Sequence, residues 1–182
     1  SYCIDTREIN NNDLFFSLNI EEEKGIKYID MTCPFVLRIH DIVEKESAKG
    51  SHIVITGSPD HPEVQGICGW CHNEPTVIET SEEARKYVVS DDKKVVVVSQ
   101  TTFNYDKFQE FVEIFGKMGY DVNVVNTICD ATQKRQQEAK EIAKTVDCMI
   151  VIGDKASSNS RKLYDICSKE CKNTHFIQTL SE

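Results

Sequence analysis

Thiol, carboxyl, imidazole and hydroxyl side chains recur at matching places along this chain of 182 residues. Cys33 closes the run Ile26-Lys27-Tyr28-Ile29-Asp30-Met31-Thr32, and Cys129 closes Val122-Asn123-Val124-Val125-Asn126-Thr127-Ile128. Each is followed 24 positions later by the glycine that ends an apolar run, Gly57 in one copy and Gly153 in the other. Just past each glycine lies a polar cluster, Asp60-His61-Pro62-Glu63 or Ser157-Ser158-Asn159-Ser160. Thiolates ligate metals, a His and Glu pair moves protons, and hydroxyl and amide groups bind phosphate. A unit that repeats a thiol at one strand end and polar groups at the next points to one central site built by similar modules.

Such residues need elements to hold them, and the composition permits a core. The chain is 40% hydrophobic, enough for one domain or two small ones. A formal charge of −9 with no Lys/Arg block argues against nucleic-acid and membrane partners. An anionic small molecule still fits, because helix N-termini and hydroxyls bind phosphate locally. No apolar run reaches membrane-spanning length and no charged-then-apolar leader opens the chain, so a cytoplasmic location is expected. Eight cysteines in that setting read as reduced thiols or metal ligands rather than a disulfide framework. The chain opens on Ser1 without an initiator Met, as a fragment or a processed product would.

Short β-branched runs alternate with longer amphipathic ones. Strands are predicted over 27–30, 52–57, 76–79, 94–98, 121–125, 148–153 and 174–178. Helices are predicted over 34–49, 62–71, 81–89, 104–118, 130–145 and 158–171. Val95 to Val98 form the continuous apolar run of a strand covered on both faces. Phe108, Phe111, Val112 and Phe115 share a helix face, and Gly119 suits the stop after it. The alternation predicts an α/β fold of two similar modules, with mostly parallel sheets flanked by helices and right-handed crossovers. Residues 1–26 read as a lead-in, 27–125 as one module and 126–182 as another; within the lead-in, Arg7 to Lys24 are polar and read as weakly ordered.

Parallel sheets collect function at the carboxyl ends of their strands. Five predicted strand ends carry Cys33, His61 with Glu63, Ser99-Gln100-Thr101-Thr102, Cys129, and Ser157-Ser158-Asn159. Helix capping competes with function here, and it accounts for Thr102, Asp130 and one residue of the Ser-Ser-Asn run. Cys33, Cys129 and the His61-x-Glu63 pair are not capping types. Taken alone, Glu63 reads as a first-turn acid favoured by the helix dipole, and His61 as a surface or capping-region His. By spacing alone, a shared site and a duplicated structural fold stand level. Cys68-Gly69-Trp70-Cys71-His72 fits haem attachment and a redox C-x-x-C, but its place at a helix end favours buried thiols. Cys148, Cys167 and Cys171 read as core thiols, and no second pair is spaced for zinc.

Five motifs then carry a resemblance. Asp30-Met31-Thr32-Cys33-Pro34-Phe35-Val36, His61-Pro62-Glu63-Val64, Gln100-Thr101-Thr102-Phe103, Ile128-Cys129-Asp130-Ala131-Thr132 and Ser157-Ser158-Asn159-Ser160 follow one another as in the LytB family. The chain resembles that family of iron–sulfur hydroxymethylbutenyl diphosphate reductases, which form isopentenyl and dimethylallyl diphosphate in the non-mevalonate isoprenoid pathway. The resemblance implies three similar α/β modules around a [4Fe–4S] cluster, with Cys33 and Cys129 as two of its ligands. It implies that His61, Thr101, Ser157, Ser158 and Asn159 hold the substrate's diphosphate and hydroxyl, and that Glu63 with Thr101 delivers a proton. An allylic diphosphate substrate and an electron donor such as ferredoxin or flavodoxin come with it.

The departures are specific. The aromatic-Cys-aromatic-Gly motif that carries the family's first cysteine is absent, and Tyr2-Cys3-Ile4-Asp5 does not resemble it. Residues 1–27 contain no His, and Met31 stands where Ala is usual. The third cysteine ligand is not identifiable, so 1–26 becomes a remnant of the first module and 126–182 an incomplete one. The chemistry suits the residues independently of the name. Replacing an allylic hydroxyl by hydrogen needs two electrons and protons, and a cluster with three cysteines leaves one iron open. Glu63 then protonates the departing oxygen directly or through Thr101. The expected geometry puts Cys33 and Cys129 at equivalent strand ends, facing one cavity with Glu63 and Thr101. The expected function is the reductase as a fragment inactive alone, and the alternative is a non-catalytic α/β module binding a phosphorylated ligand.

Overall fold

The computed structural model describes residues 19–23, 26–30, 32–88, 94–119 and 121–179; Cys3 lies outside them. In chain order the elements are β1 (Asn19–Glu23), β2 (Ile26–Asp30), α1 (Pro34–Ala48), β3 (His52–Thr56), α2 (Pro62–Gly69), β4 (Thr76–Ile78) and α3 (Ser81–Lys86). There follow β5 (Val95–Ser99), α4 (Tyr105–Gly116), β6 (Val122–Val124), α5 (Asp130–Ala143), β7 (Met149–Ile152), α6 (Ser158–Glu170) and β8 (Thr174–Ile177). Every predicted element is present, with ends displaced by three residues or fewer. The unforeseen one is β1, which pairs antiparallel with β2 from Asn19↔Asp30 to Glu23↔Ile26. By sequence, residues 7–24 are open to two readings, a weakly ordered lead-in or the remnant of an earlier element, and the strand at 19–23 accords with the second. Ladder hydrogen bonds are made by the backbone, so a run of glutamates does not forbid them.

The sheets follow from where the β-branched runs fall. One has four strands in the order β4-β3-β5-β6 and the other joins β7 to β8; both are parallel throughout. In the centre of the larger sheet, Ile53, Val54, Ile55 and Val95 through Val98 have 0% exposure, as a strand covered on both faces requires. Side chains alternate across a strand, so β5 divides between two cores. Val95 and Val97 meet Phe108, Phe111 and Phe115 of α4. Val96 and Val98 meet Ile39 and Val43 of α1 and Val64 and Ile67 of α2. This is an α/β fold of parallel sheets flanked by helices.

The smaller sheet is covered on one face. Val151 packs with Ala143, Cys167 and Cys171, bearing out the core reading of the last two. On the other face Ile150 and Ile152 are 55% and 74% exposed. Cys148 precedes β7 and is exposed, so its reading as a core thiol is corrected. Its position has the parity of Ile150 and not of Val151, and period two puts it outside.

Two glycines let helices close onto strand ends. A Cβ at Gly57 would stand 2.7 Å from Val64 Cγ2, and one at Gly153 would stand 2.8 Å from Ser160 Cβ. In both copies the obstructing residue lies seven positions on, so the sequence repeat is also a packing repeat.

The phenylalanine layer carries the larger core. Phe111→Ala should lower the free energy of urea unfolding by about 3–5 kcal/mol. Val88→Ala, at a residue 73% exposed, should change it by less than about 0.5 kcal/mol.

Candidate active site

Four of the predicted residues are helix N-caps. Cys33 caps α1 with φ −54° and ψ 132°, and Cys129 caps α5 with φ −63° and ψ 131°. Neither thiol makes a cap hydrogen bond. Replacing an ordinary Ser or Asp cap forgoes about 1 kcal/mol at each place, so capping does not account for the choice of cysteine. Ser157 caps, as expected of one residue of its run, and His61 caps too, which corrects its exclusion from the capping types. His61 Nδ1 accepts from Glu63 N at 3.2 Å, and Ser157 Oγ accepts from Ser160 N at 3.3 Å. The capping roles expected of Thr102 and Asp130 are corrected. Asn104 caps α4 by accepting from Lys107 N at 2.9 Å, and Asp130 is the first residue of α5, one beyond its cap.

Glu63 and Thr101 form the tightest contact of the group. Thr101 donates its backbone N–H to Glu63 Oε1 at 2.6 Å and its hydroxyl to Oε2 at 2.8 Å. Both residues are only 8% exposed. The carbonyl of Thr101 accepts from Cys129 N at 3.0 Å. One residue at the end of β5 is thus held by α2 and holds the cap of α5. Beside it, Thr127 Oγ1 donates to Ser99 O at 2.6 Å and accepts from Ser99 N at 2.7 Å, fixing the approach to Cys129. Cys33 follows β2 at the head of α1 as an exposed thiol. Among the described residues, no group of three His, Cys, Asp or Glu side chains gathers where it could hold a metal ion.

The start of α6 meets the same loop. Ser158 Oγ lies 3.1 Å from Thr102 Oγ1, which accepts from the fully buried Gln100 through Nε2 at 3.1 Å. Lys162 Nζ donates to Ser158 Oγ at 3.1 Å and sits 5.2 Å from the centre of the Phe103 ring. Asn159 occupies the place in its copy that Glu63 occupies in the other, and its Oδ1 is buried without a partner. Sequence reasoning missed Lys162 and Thr127. The available signals were the spacing of Lys162 one turn past Ser158 and the hydroxyl two residues before Cys129.

Charges respond to this enclosure. Burial lowers the pKa of His61, outweighing the opposite pull of Glu63. With Nδ1 already accepting, the neutral ring carries its proton on Nε2 and presents that N–H as a donor. Burial also pushes Lys162 down to about 8, against the attraction of Glu63 and Glu79. The C-x-x-C-H segment behaves differently. Cys71 donates to Ile67 O at 3.5 Å and burial pushes its thiol up to about 11, while burial raises Cys68 as well. These are packed thiols, unsuited to a dithiol couple. A cleft of about 460 Å³ lies elsewhere, between α3 and α4, lined by Arg85, Glu110 and Lys117.

The sequence model of the family described as "LytB protein" matches residues 17–182. The 4-hydroxy-3-methylbut-2-enyl diphosphate reductase of Caldanaerobacter subterraneus subsp. tengcongensis is 44% identical over 161 residues, covering 88% of this chain and 55% of that protein. The protein of the same name from Clostridioides difficile is 41% identical over 161 residues, covering 88% and 57%. A solved (E)-4-hydroxy-3-methyl-but-2-enyl diphosphate reductase, described as the terminal enzyme of the non-mevalonate pathway, is 41% identical with a TM-score of 0.52, covering 87% and 57%. The E-1-hydroxy-2-methyl-but-2-enyl-4-diphosphate reductase of Plasmodium falciparum is 25% identical with a TM-score of 0.77, covering 83% and 48%. The chain spans about half the length of the relatives it matches. Because the family match runs through both parallel sheets and every candidate residue, the chain belongs to the LytB family.

Proposed function

We propose that this chain supplies two modules, residues 27–125 and 126–182, of an iron–sulfur reductase. The reaction replaces the allylic hydroxyl of 4-hydroxy-3-methylbut-2-enyl diphosphate by hydrogen, giving isopentenyl and dimethylallyl diphosphate. The chain is inactive by itself, it works in the cytoplasm, and ferredoxin or flavodoxin is its electron donor. The single observation that carries the reading is the buried pair of Glu63 and Thr101 at a strand end, bonded onward to the Cys129 cap.

The chemistry of the donors fits a cluster in part. Cys33 and Cys129 carry thiols without cap bonds at helix N-termini. A [4Fe–4S] cluster held by them, with a third ligand from outside the described residues, supplies two electrons and a Lewis-acid iron when bound. The proton is this chain's task. Ionised Glu63 accepts both Thr101 donors; protonated at Oε2, it donates to Thr101 Oγ1, and the threonine proton turns outward to the departing hydroxyl, which leaves as water. The backbone bond from Thr101 N keeps the carboxyl in place through both states. His61 Nε2–H, the Ser158 hydroxyl and the Asn159 amide supply donors for the diphosphate, while Ser157 fixes the turn that presents them.

In the complete enzyme, Glu63→Gln should lower turnover by about two to four orders of magnitude, with substrate binding retained. The amide oxygen still accepts from Thr101 N, so unfolding should be little changed. Glu63→Leu should in addition lose about 1–3 kcal/mol in urea unfolding, because a buried N–H is left unpaired. A near-wild-type rate for Glu63→Gln would move proton delivery to another group.

Anaerobic reconstitution of this chain alone should give iron and sulfide well below four per chain, with EPR showing no stable cluster. Cys33→Ser and Cys129→Ser should each lower the content of the complete enzyme. A stoichiometric cluster on this chain that vanished on Cys3→Ser would make Cys3 the third ligand and the chain a self-sufficient reductase.

A further inference from the structure

Lys162 is a half-buried cation in a chain of net charge −9, and it forms no ion pair among the described residues. Its ammonium group is spent on a hydroxyl, Ser158 Oγ at 3.1 Å, and on the face of the Phe103 ring at 5.2 Å. Long cationic side chains ordinarily extend to water from a helix surface. Holding this one inward forfeits hydration, and that needs a return.

Counting protons gives one. Ser158 Oγ accepts from Lys162, and Thr102 Oγ1 accepts from Gln100. The two hydroxyls lie 3.1 Å apart, so one donates to the other. Two hydroxyl protons serve one bond, and the second proton is left to donate outward. Gln100 has 0% exposure and its Oε1 has no partner, so the amide is committed to this chain of bonds by position. The charge of Lys162 also acts on His61, which lies in its field and presents Nε2–H. Polar donors, one hydroxyl proton left free on Ser158 or Thr102, and one cation therefore converge on the loop between β5 and α4.

We propose that Lys162 is a positioning residue for the diphosphate: it supplies the positive charge of the anion site and orients the Ser158 hydroxyl as a donor. The inference rests on the reading that this end of the sheet binds a diphosphate. The groups facing Lys162 are Glu63 on α2, Glu79 after β4, Lys107 on α4 and Asp165 on its own helix. The two carboxylates from the neighbouring elements keep it charged when a site is empty, and an anion would do so more strongly.

A stability sign accompanies the proposal. Because burial brings Lys162 to about 8 from 10.5, the folded chain binds this proton less tightly than the unfolded one. The charge therefore costs stability at neutral pH, and the cost fades as pH rises from about 8 to about 10.5.

Calorimetric titration of this chain with inorganic pyrophosphate at low salt tests the assignment, using Lys162→Met, Lys162→Arg and the exposed control Lys117→Met. Lys162→Met should weaken binding by about 10- to 100-fold, as for loss of a hydrogen bond to a charged group, and should unfold no earlier than wild type at pH 7. Lys162→Arg should retain affinity, and Lys117→Met should match wild type. Raising pH from 7 to 9.5 should weaken wild-type binding more than that of Lys162→Arg, since both share the titration of the ligand. Equal affinity of Lys162→Met and wild type would overturn the role of Lys162 and leave the diphosphate reading standing. No binding by wild type would overturn the diphosphate reading and the proposal with it.

Discussion

Thr101 is gripped from two sides, and the geometry of the site depends on that grip. Its N–H and hydroxyl both go to one carboxylate on α2, while its carbonyl takes the N–H of Cys129, the residue that caps α5. The two bonds to Glu63 lie in a region almost closed to water, where an unpaired partner is costly. The end of β5, the first turn of α2 and the entry to α5 are consequently bonded to one another. A carboxyl group held this way has one hydroxyl to exchange a proton with, on the residue before Thr102, whose own hydroxyl meets Ser158 at the start of α6.

Helix N-caps are used repeatedly, and they give unlike side chains equivalent positions at the starts of helices. At four strand ends the chain turns through an extended residue into a helix, and the residue at the turn is Cys33, His61, Cys129 or Ser157. Where the side chain is His or Ser it satisfies a helix N–H. Where it is Cys it does not, and the sulfur is left for another use. Gly57 and Gly153 complete the device by letting Val64 and Ser160 approach the strand where a Cβ would stand. The capping, packing and spacing repeats coincide.

Much of this was legible in the sequence because it is carried by spacing. The interval from Cys33 to Gly57 and from Cys129 to Gly153, and the valine run over 95–98, fixed the α/β reading and the strand ends. What was not legible depends on pairing in space. β1 is a strand through its backbone bonds to β2, to which glutamates give no clue. Cys148 misled because its strand is covered on one face, and a run of apolar letters does not say which face. Thr102 looked like a cap until Asn104 took that role, which freed the threonine to meet Ser158 across the sheets. Lys162 was invisible because lysines on helices are usually solvated, and only the fold shows this one turned towards Phe103.

The central claim is that Glu63 and Thr101 work as one proton-delivering unit. A double-mutant cycle in the complete enzyme, built from Glu63→Gln and Thr101→Val and read as turnover under anaerobic conditions, addresses it directly. If the proton passes from the carboxyl through the hydroxyl, either change breaks the path, and the double variant should be about as slow as the slower single one. If the two losses instead multiply, the residues act independently and the account of a shared path is wrong.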